Sequence, residues 1–573
     1  MVSKNVADIF VDALEDFGVE RVYGLAGDSL NGITDRIFKS QKMEWVHVRH
    51  EEAAAFAAGA EAQITGKISV CAGSCGPGNL HLINGLYDAH RSGAPVLAIA
   101  AQIPSAEIGS NYFQETNPNQ LFKDCSYFCE TVTHPEQLIS LLNTAIQTAL
   151  TKKGVAVLVI SGDIALQKLE NIGHIAQIST STITPHVKDI ANIAEILNSS
   201  KKVTLFCGYG VKGAHSSLIQ LAEKLKSPIV HTLRGKEFVE YDNPFDVGMT
   251  GFIGFASGYF AMEDCDTLLL LGTSFPYRAF YPSKARIIQI DENGANLGRR
   301  TRIDAGIIGD VKISIDMLLP MLKVKNDREF LDKALNHYTK SKMDLNNLAV
   351  PSNKNNSIHP QYVAKILSNK ATDNAIFTCD VGTQTAWAAR YLKMNGKRRL
   401  LGSFNHGSMA NALSQAIGAQ SIDKNCQVVA MCGDGGFAML MGEILTLVQQ
   451  QLPIKVIILN NSALGFVQLE MIAGGFLNYG VDLKNPNFAK LAEAVGIKGI
   501  RIENSEDVEK GIDEAFKHNG PVIVDVVTNT YELIMPPKIK MEHAKGFSLF
   551  ALKTIMNGRG DVLMDLAKEN LWS

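Results

Sequence analysis

Ten short apolar runs punctuate the chain: RVYGL, ISVCAG, PVLAIAA, VAVLVIS, VTLFCG, TLLLLG, RIIQID, AIFTCD, QVVAMCG and KVIILN. Most close on glycine or aspartate, and each gives way to a stretch with helical spacing. Segments this uniformly apolar suit strands buried on both faces, the condition of parallel sheets covered by helices. The alternation predicts an α/β chain of doubly wound parallel sheets, whose ligands gather beyond the carboxyl ends of the strands. Polar stretches over 167–185 and 346–360 divide the 573 residues into three blocks. The expected domains are 1–180, 185–345 and 355–535, followed by a tail over 536–573.

Charge and cysteine usage narrow the class of protein. Lys and Arg number 55 against 58 Asp and Glu, a net charge of -3, which supplies no overall basic field for nucleic acid. The 9 cysteines are odd in number and scattered, unlike a disulfide framework. The opening MVSKNVADIFVDALEDFGVE mixes acids among its apolar residues, unlike a signal peptide. No uncharged apolar run reaches the roughly 18 residues of a membrane span. A soluble, cytoplasmic protein is expected.

The first and last blocks repeat one another. AFAAGA over 55–60 precedes a strand, Gly76-Pro77-Gly78, a helix, Pro95 and another strand; SQAIGA over 414–419 precedes a strand, Gly433-Asp434-Gly435, a helix, Pro453 and another strand. Gly59 to Gly76 is 17 residues and Gly418 to Gly433 is 15; Gly76 to Pro95 is 19 and Gly433 to Pro453 is 20. Matched order at matched spacing predicts two related domains flanking a different one.

The same repeat holds the strongest chemical signal. Gly433-Asp434-Gly435 is followed, after 24 residues, by Asn460-Asn461. Asp434 ends one predicted strand and Asn461 the next, so in a parallel sheet both emerge at one edge. Oxygen ligands so placed suit Mg²⁺, which shares its octahedron among one or two side chains, a carbonyl, water and phosphate. Gly435 and Gly436 allow a diphosphate to approach the backbone, and the helix after them turns its N-terminus to the anion.

This GDG…NN pattern resembles the thiamine diphosphate (ThDP) motif. In that superfamily a glutamate of the related N-terminal domain contacts the cofactor's aminopyrimidine ring, and Glu51, in RHEEAA, matches it. A carboxyl beside the ring nitrogen shares a proton with it and tunes its acid–base behaviour. Taken alone, Glu51 also reads as a helix-start acid favoured by the dipole.

The middle block carries a formal G-x-G-x-x-G at Gly208-Tyr209-Gly210-Val211-Lys212-Gly213. The next strand leads to Arg234 and Gly235, with no acid for a nicotinamide ribose, which argues against NAD. Gly208, Arg234, Gly251-Phe252-Ile253-Gly254, Thr273-Ser274-Phe275-Pro276-Tyr277-Arg278 and Asp291 could form a trough for a dinucleotide. On residue types alone, an ordinary α/β domain with glycine turns fits equally.

RHEEAAAFAAGAEAQ, CAGSCGPGNLHLINGLYDAH, SNYFQET, YDNPFDVGMTGFIGF, LGTSFPYRAFYP and SFNHGSMANALSQAIGAQ resemble the pyruvate oxidases, above all their bacterial pyruvate:quinone branch. The likeness runs through nearly the whole chain and weakens over 167–200 and at the end. It implies FAD in the middle domain at the trough residues just named, and a homotetramer with ThDP between the first domain of one subunit and the third of another. It implies Mg²⁺ ligation by Asp434, Asn461 and the Ala463 carbonyl. ThDP is implied against Gly407, Ser408, Met409, Gly435 and Gly436 and along Ser462, Ala463, Leu464, Gly465, Phe466 and Val467. Met409 would be the bulky side chain under the bent cofactor; a buried core methionine is its plainer reading. Phe113 and Gln114 would face pyruvate, with Phe466, Val467 and Glu470 as the other wall. The implied reaction is oxidative decarboxylation of pyruvate to acetate and CO₂, with electrons passed through FAD to a membrane quinone. Rival readings are an acetolactate-synthase-like carboligase with non-redox FAD, an oxygen- and phosphate-dependent oxidase making acetyl phosphate, and a cofactor-binding scaffold without turnover.

Two features stand apart. Cys71/Cys75 and Cys125/Cys129 are C-x₃-C pairs, yet His81 and His134 lack finger-like spacing, and apolar cysteines suit a core. In GRGDVLMDLAKENLW over 558–572, Val562, Leu563, Leu566 and Leu571 share one helical side with Trp572 at the end. The quinone branch implies lipid contact by such a tail, hence a peripheral place at the inner face of the cell membrane; a packed terminal helix fits as well.

Overall fold

The computed structural model describes residues 4–169, 181–352, 358–532, 534 and 541–556. One six-stranded sheet lies in each block, and every strand pairing is parallel. The first comprises β1 (Arg21–Gly24), β2 (Glu44–His47), β3 (Ser69–Gly73), β4 (Val96–Gln102), β5 (Phe128–Val132) and β6 (Val155–Ser161), in the order β2-β1-β3-β4-β6-β5. The middle sheet comprises β7 (Val203–Cys207), β8 (Ile229–His231), β9 (Asp246–Met249), β10 (Thr267–Leu271), β11 (Arg286–Asp291) and β12 (Ala305–Ile308), in the order β12-β11-β10-β7-β8-β9. The third comprises β13 (Ile376–Cys379), β14 (Arg399–Gly402), β15 (Val428–Gly433), β16 (Lys455–Asn460), β17 (Lys498–Ile502) and β18 (Val522–Val527), in the order β14-β13-β15-β16-β18-β17.

Numbered within its own block, each outer sheet runs 2-1-3-4-6-5, so the sequence repetition is also a repetition of topology. The middle sheet runs 3-2-1-4-5-6 and reverses between β7 and β10, where doubly wound sheets open a crevice for a dinucleotide. Here Gly208 lies against Thr273: a Cβ on Gly208 would stand 2.6 Å from the Thr273 Cβ, and one on Gly210 2.7 Å from the Gly272 Cα. Glycine is what allows the two strand ends to cross this closely.

The outer blocks meet through helices almost bare of side chains. EEAAAFAAGAEAQIT forms the helix Glu51–Thr65, buried from Ala53 to Ala62 and stopped at Gly66 in the left-handed conformation (φ 71°). It packs against the helix Asn411–Ile422. Alanines and glycines permit near backbone contact, and a Cβ on Gly418 would fall 2.7 Å from the Ala57 carbonyl carbon. One apolar cluster therefore spans both blocks, from Val46 and Ala55 to Ala412 and Ile458. At the seam Arg21 and Tyr23 both donate to Glu61, the tyrosine at 2.5 Å. The middle block is tied in by Arg399, which donates to Glu237 and to the carbonyls of Gln63 and Ile64.

Among the described residues no helix is long and apolar enough to cross a membrane. The helix Met541–Met556 packs on the helix Gly465–Gly474, with Phe550 buried against Ile472 and Tyr531. The amphipathic stretch expected over 558–572 lies outside the described residues.

Candidate active site

The GDG and NN segments converge because β15 and β16 are paired neighbours. Gly433 is in register with Leu459, so Asp434 and Asn460 leave the sheet at the same edge. Asp434 is 2 % exposed; its Oδ1 accepts from the Gly435 amide at 2.9 Å, and its Oδ2 accepts from the Ser462 amide at 2.7 Å and Asn485 Nδ2 at 2.8 Å. Burial pushes this carboxyl above its ordinary range against those donors. Asn461 Oδ1 accepts from the Ala463 amide at 3.3 Å, and Ser462 takes a left-handed φ of 55°, which turns the chain sharply past Asp434. A Cβ on Gly435 would meet Leu464 at 2.9 Å and Met409 Cε at 3.3 Å, so these three expected residues share one place. Beneath Gly436 lies Asp380, whose carboxyl accepts from the Ala412 and Gly433 amides and is pushed up to about 7 by burial.

Gly407 (φ 86°) and Ala410 (φ 65°) carry the chain from β14 into the helix Asn411–Ile422. Ser408 Oγ, between them, accepts from Asn84 Nδ2 at 2.8 Å, and Asn84 also donates to Glu52. The helix Gly465–Gly474 presents a half-buried Phe466 and exposed Val467 and Glu470.

Glu51 lies in the first block. It is 3 % exposed, opens its helix, and pairs through Oε2 with His81 Nδ1 at 2.9 Å. His81 stacks on His50 at 4.3 Å, and burial and the neighbouring His81 lower the His50 pKa. Gln114 (φ 64°) accepts from Cys75 Sγ at 3.3 Å and closes over Gly76, while Phe113 stands 78 % exposed beside it. Among the described residues no hydrogen bond or ion pair joins the Glu51–His81 cluster to the Asp434–Asn461 cluster.

The middle-block residues fall into separate groups. Phe252 packs edge-on to Tyr277 at 4.8 Å, and Phe275 lies near Gly251 and Tyr277. Arg390 of the third block holds this loop through the Ile253 carbonyl at 3.0 Å and the Gly254 carbonyl at 3.5 Å. Gly208 and Thr273 meet at the strand crossing, and Ser274 Oγ accepts from Arg300. Pro276 is exposed between Phe275 and Tyr277, and Arg278 opens the short turn Arg278–Phe280. Asp291, raised by burial, accepts from the Asn293 amide and Asn296 Nδ2. Arg234 turns to the first block, donating to the Ser92 carbonyl at 2.7 Å and stacking 4.4 Å from the Tyr209 ring.

Sequence reasoning missed Asn485, Asp380, His81 and Asn84 as site residues. Asp380 closes the run AIFTCD, a strand-end position that could have drawn notice; the other three carry no local signal.

The residues fit the expected groups. Asp434 offers buried carboxyl oxygens at the strand edge, the hard oxygen donors a cation of this kind takes, and the Gly435–Gly436 corner is a cradle that side chains would fill. Buried His406 Nδ1, next to Gly407, has no partner; in the middle block Thr250 Oγ1, next to Gly251, is likewise buried and unpartnered. Buried polar atoms of this kind are costly unless a ligand or water meets them.

Three family models match the chain: the N-terminal TPP binding domain of thiamine pyrophosphate enzymes over 4–121, their central domain over 190–318, and their C-terminal TPP binding domain over 380–526. YdaP of Bacillus subtilis (strain 168), named a putative thiamine pyrophosphate-containing protein, is 38% identical over 99% of both chains. The acetolactate synthase large subunit of Porphyra purpurea is 30% identical over 92% of this chain and 93% of its own. The pyruvate oxidase of Lactiplantibacillus plantarum is 28% identical over 93% of this chain and 90% of its own. With two sheets of one topology, a GDG…NN edge and a buried glutamate on the matching domain, the chain belongs to the thiamine pyrophosphate enzyme family.

Proposed function

We propose that this enzyme oxidatively decarboxylates pyruvate: pyruvate, water and a membrane quinone give acetate, CO₂ and the quinol, with FAD between. The observation that carries the reading is the middle sheet. It has the 3-2-1-4-5-6 order of a dinucleotide binder, and beside Gly251 it leaves a buried, unpartnered Thr250 hydroxyl. The likeness to a pyruvate oxidase adds the substrate class.

Asp434, Asn461 and the Ala463 carbonyl would hold Mg²⁺, and Gly435 and Gly436 would admit the diphosphate. Bound ThDP supplies a carbon nucleophile and electron sink, and bound FAD a two-electron acceptor. Glu51 holds or gives up a proton at the pyrimidine ring, with His81 fixing the direction of its carboxyl. Met409 and Leu464, which stand beside Gly435, would line the cofactor's place, and Gly407 and Ser408 would also border it. Phe113, Gln114, Phe466, Val467 and Glu470 would orient pyruvate and exclude water. The likeness to the pyruvate oxidases implies a homotetramer in which a second copy would complete each site. Exposure of Phe113, and of Tyr479 at 87 %, fits such a contact. The C-terminal tail would supply peripheral membrane contact.

Anaerobic titration with pyruvate tests the proposal. Loss of the visible flavin absorbance, restored by a quinone and faster with lipid vesicles, is expected. An unbleached flavin with acetolactate as product would replace it with the carboligase reading, and phosphate-dependent peroxide formation with the oxygen-using one.

A further inference from the structure

Glu51 is preceded by Arg49 and His50, in the turn that carries the chain from β2 into the helix Glu51–Thr65. That turn is gripped from the third block. Glu443, 1 % exposed, accepts the Arg49 amide through both carboxylate oxygens, at 3.0 and 3.3 Å. Thr446 Oγ1 donates to its Oε2 at 2.6 Å, and the Arg49 guanidinium donates to Gln449 at 2.5 Å. Glu443 ends the short turn Met441–Glu443, which follows the helix that begins at Asp434. Burial pushes its carboxyl up to about 7, against the pull of the Thr446 hydroxyl and the Arg49 and His50 amides. A carboxylate so placed is costly, and a surface-type contact between blocks would not require one.

We infer that Glu443 is a positioning residue for Glu51: it fixes the Arg49–His50 turn and thereby the direction in which the Glu51 carboxyl meets His81 and the cofactor ring. The inference rests on the assignment of Glu51 to the pyrimidine ring.

Full-length Glu443→Ala, Glu443→Gln, Thr446→Val and Glu51→Gln proteins test it through three measurements. These are backbone hydrogen–deuterium exchange of the 46–52 segment without cofactor, exchange of the thiazolium C2 proton of bound ThDP, and melting temperature. In Glu443→Ala the Arg49 and His50 amides should exchange about 10-fold faster, the scale of one lost charged hydrogen bond. C2 exchange should slow about 10- to 100-fold, as for a catalytic group displaced by roughly 1 Å. Glu443→Gln, whose amide oxygen still accepts, should recover most of both, and Thr446→Val should fall between. A loosened turn with undiminished C2 exchange, or unaltered amide exchange in Glu443→Ala, overturns the positioning role. If Glu443→Ala does not fold, Thr446→Val decides: slowed C2 exchange at the parental melting temperature upholds the role, and parental exchange overturns it. Glu51→Gln must slow C2 exchange by about 100-fold. If it does not, the Glu51 assignment falls and takes the inference with it. A Glu51→Gln loss without a Glu443→Ala loss sinks the inference alone.

Discussion

Gly418→Ala probes the seam that joins the two ThDP-type blocks. The added methyl group would stand 2.7 Å from the Ala57 carbonyl carbon and 2.8 Å from its Cα, where ordinary contact begins at 3.4 Å. The Ala57 carbonyl oxygen would lie closer still; these are backbone atoms of a buried helix, so no side chain can swing aside, and the helices must part by about 1 Å. Overpacking of this kind costs about 1–3 kcal/mol. A gap of roughly 0.5–1 Å opened elsewhere along the crossing forfeits a quarter to a half of each contact there, which pushes the cost to the upper end. In units of this size that lowers the melting temperature by about 3–10 °C. Glu51 opens one of the two helices, so a shift approaching 1 Å should also cut turnover of pyruvate up to about 100-fold. The assay is a thermal melt of cofactor-free protein at fixed scan rate, paired with steady-state turnover. Gly59→Ala is the control: its Cβ would stand 3.2 Å from the Ala89 Cβ and 3.7 Å from its Cα, and alanine favours the helix by about 1 kcal/mol. If Gly418→Ala melts and turns over like the parent while binding its cofactors normally, the helices do not meet backbone to backbone and the account of the seam is wrong.

Asp434→Asn keeps the shape of the residue but removes the charge a cation needs. ThDP affinity, read by fluorescence quenching with Mg²⁺ present, should fall about 100-fold; parental affinity contradicts the metal assignment. Chelation of divalent ions should release ThDP from the parent, with Mg²⁺ restoring it, and a cofactor retained under chelation counts against the same site. Burial raises Asp88 from 3.8 to about 6 at the junction where it accepts from Gln415, so the folded chain keeps a proton there that the unfolded chain has released. The stability from this group is complete below about pH 4 and is lost as pH rises through about 6. Asp88→Asn should therefore gain on the parent by about 2–3 kcal/mol between about pH 4 and 7.5 in urea unfolding. Taking the difference isolates this group from His50 and His90, whose lowered values act with the opposite sign; a difference that is flat with pH refutes the effect.

The strands legible in the sequence and those that were not differ in where they sit. All ten apolar runs became strands, and all lie within the sheets. The unread β5, β9, β12, β14 and β17 are edge strands, which are paired on one side only and need no uniform apolar run: FCETV, DVGM, AGII, RLLG and KGIRI. The exception is β18, an interior strand interrupted by Asp525, which is fully buried yet accepts from Asn460, the Phe488 amide and Arg501. The site divides the same way. The meeting of Asp434 and Asn461 at one sheet edge could be read because each stands at the end of an apolar run in a motif of fixed spacing. Asn485 and Glu443 could not, since each acts through a contact made only when another element arrives. Arg234 adds a contact of the same kind: the sequence places a cation at a strand end, and only the fold shows its guanidinium also reaching the Ser92 carbonyl and the Tyr209 ring. Gly418 belongs with the unread. Inside SQAIGA it looks like any tolerated helix glycine, and only the approach of Ala57 from the other half of the repeat turns it from a weak helix former into the place where two blocks become one core.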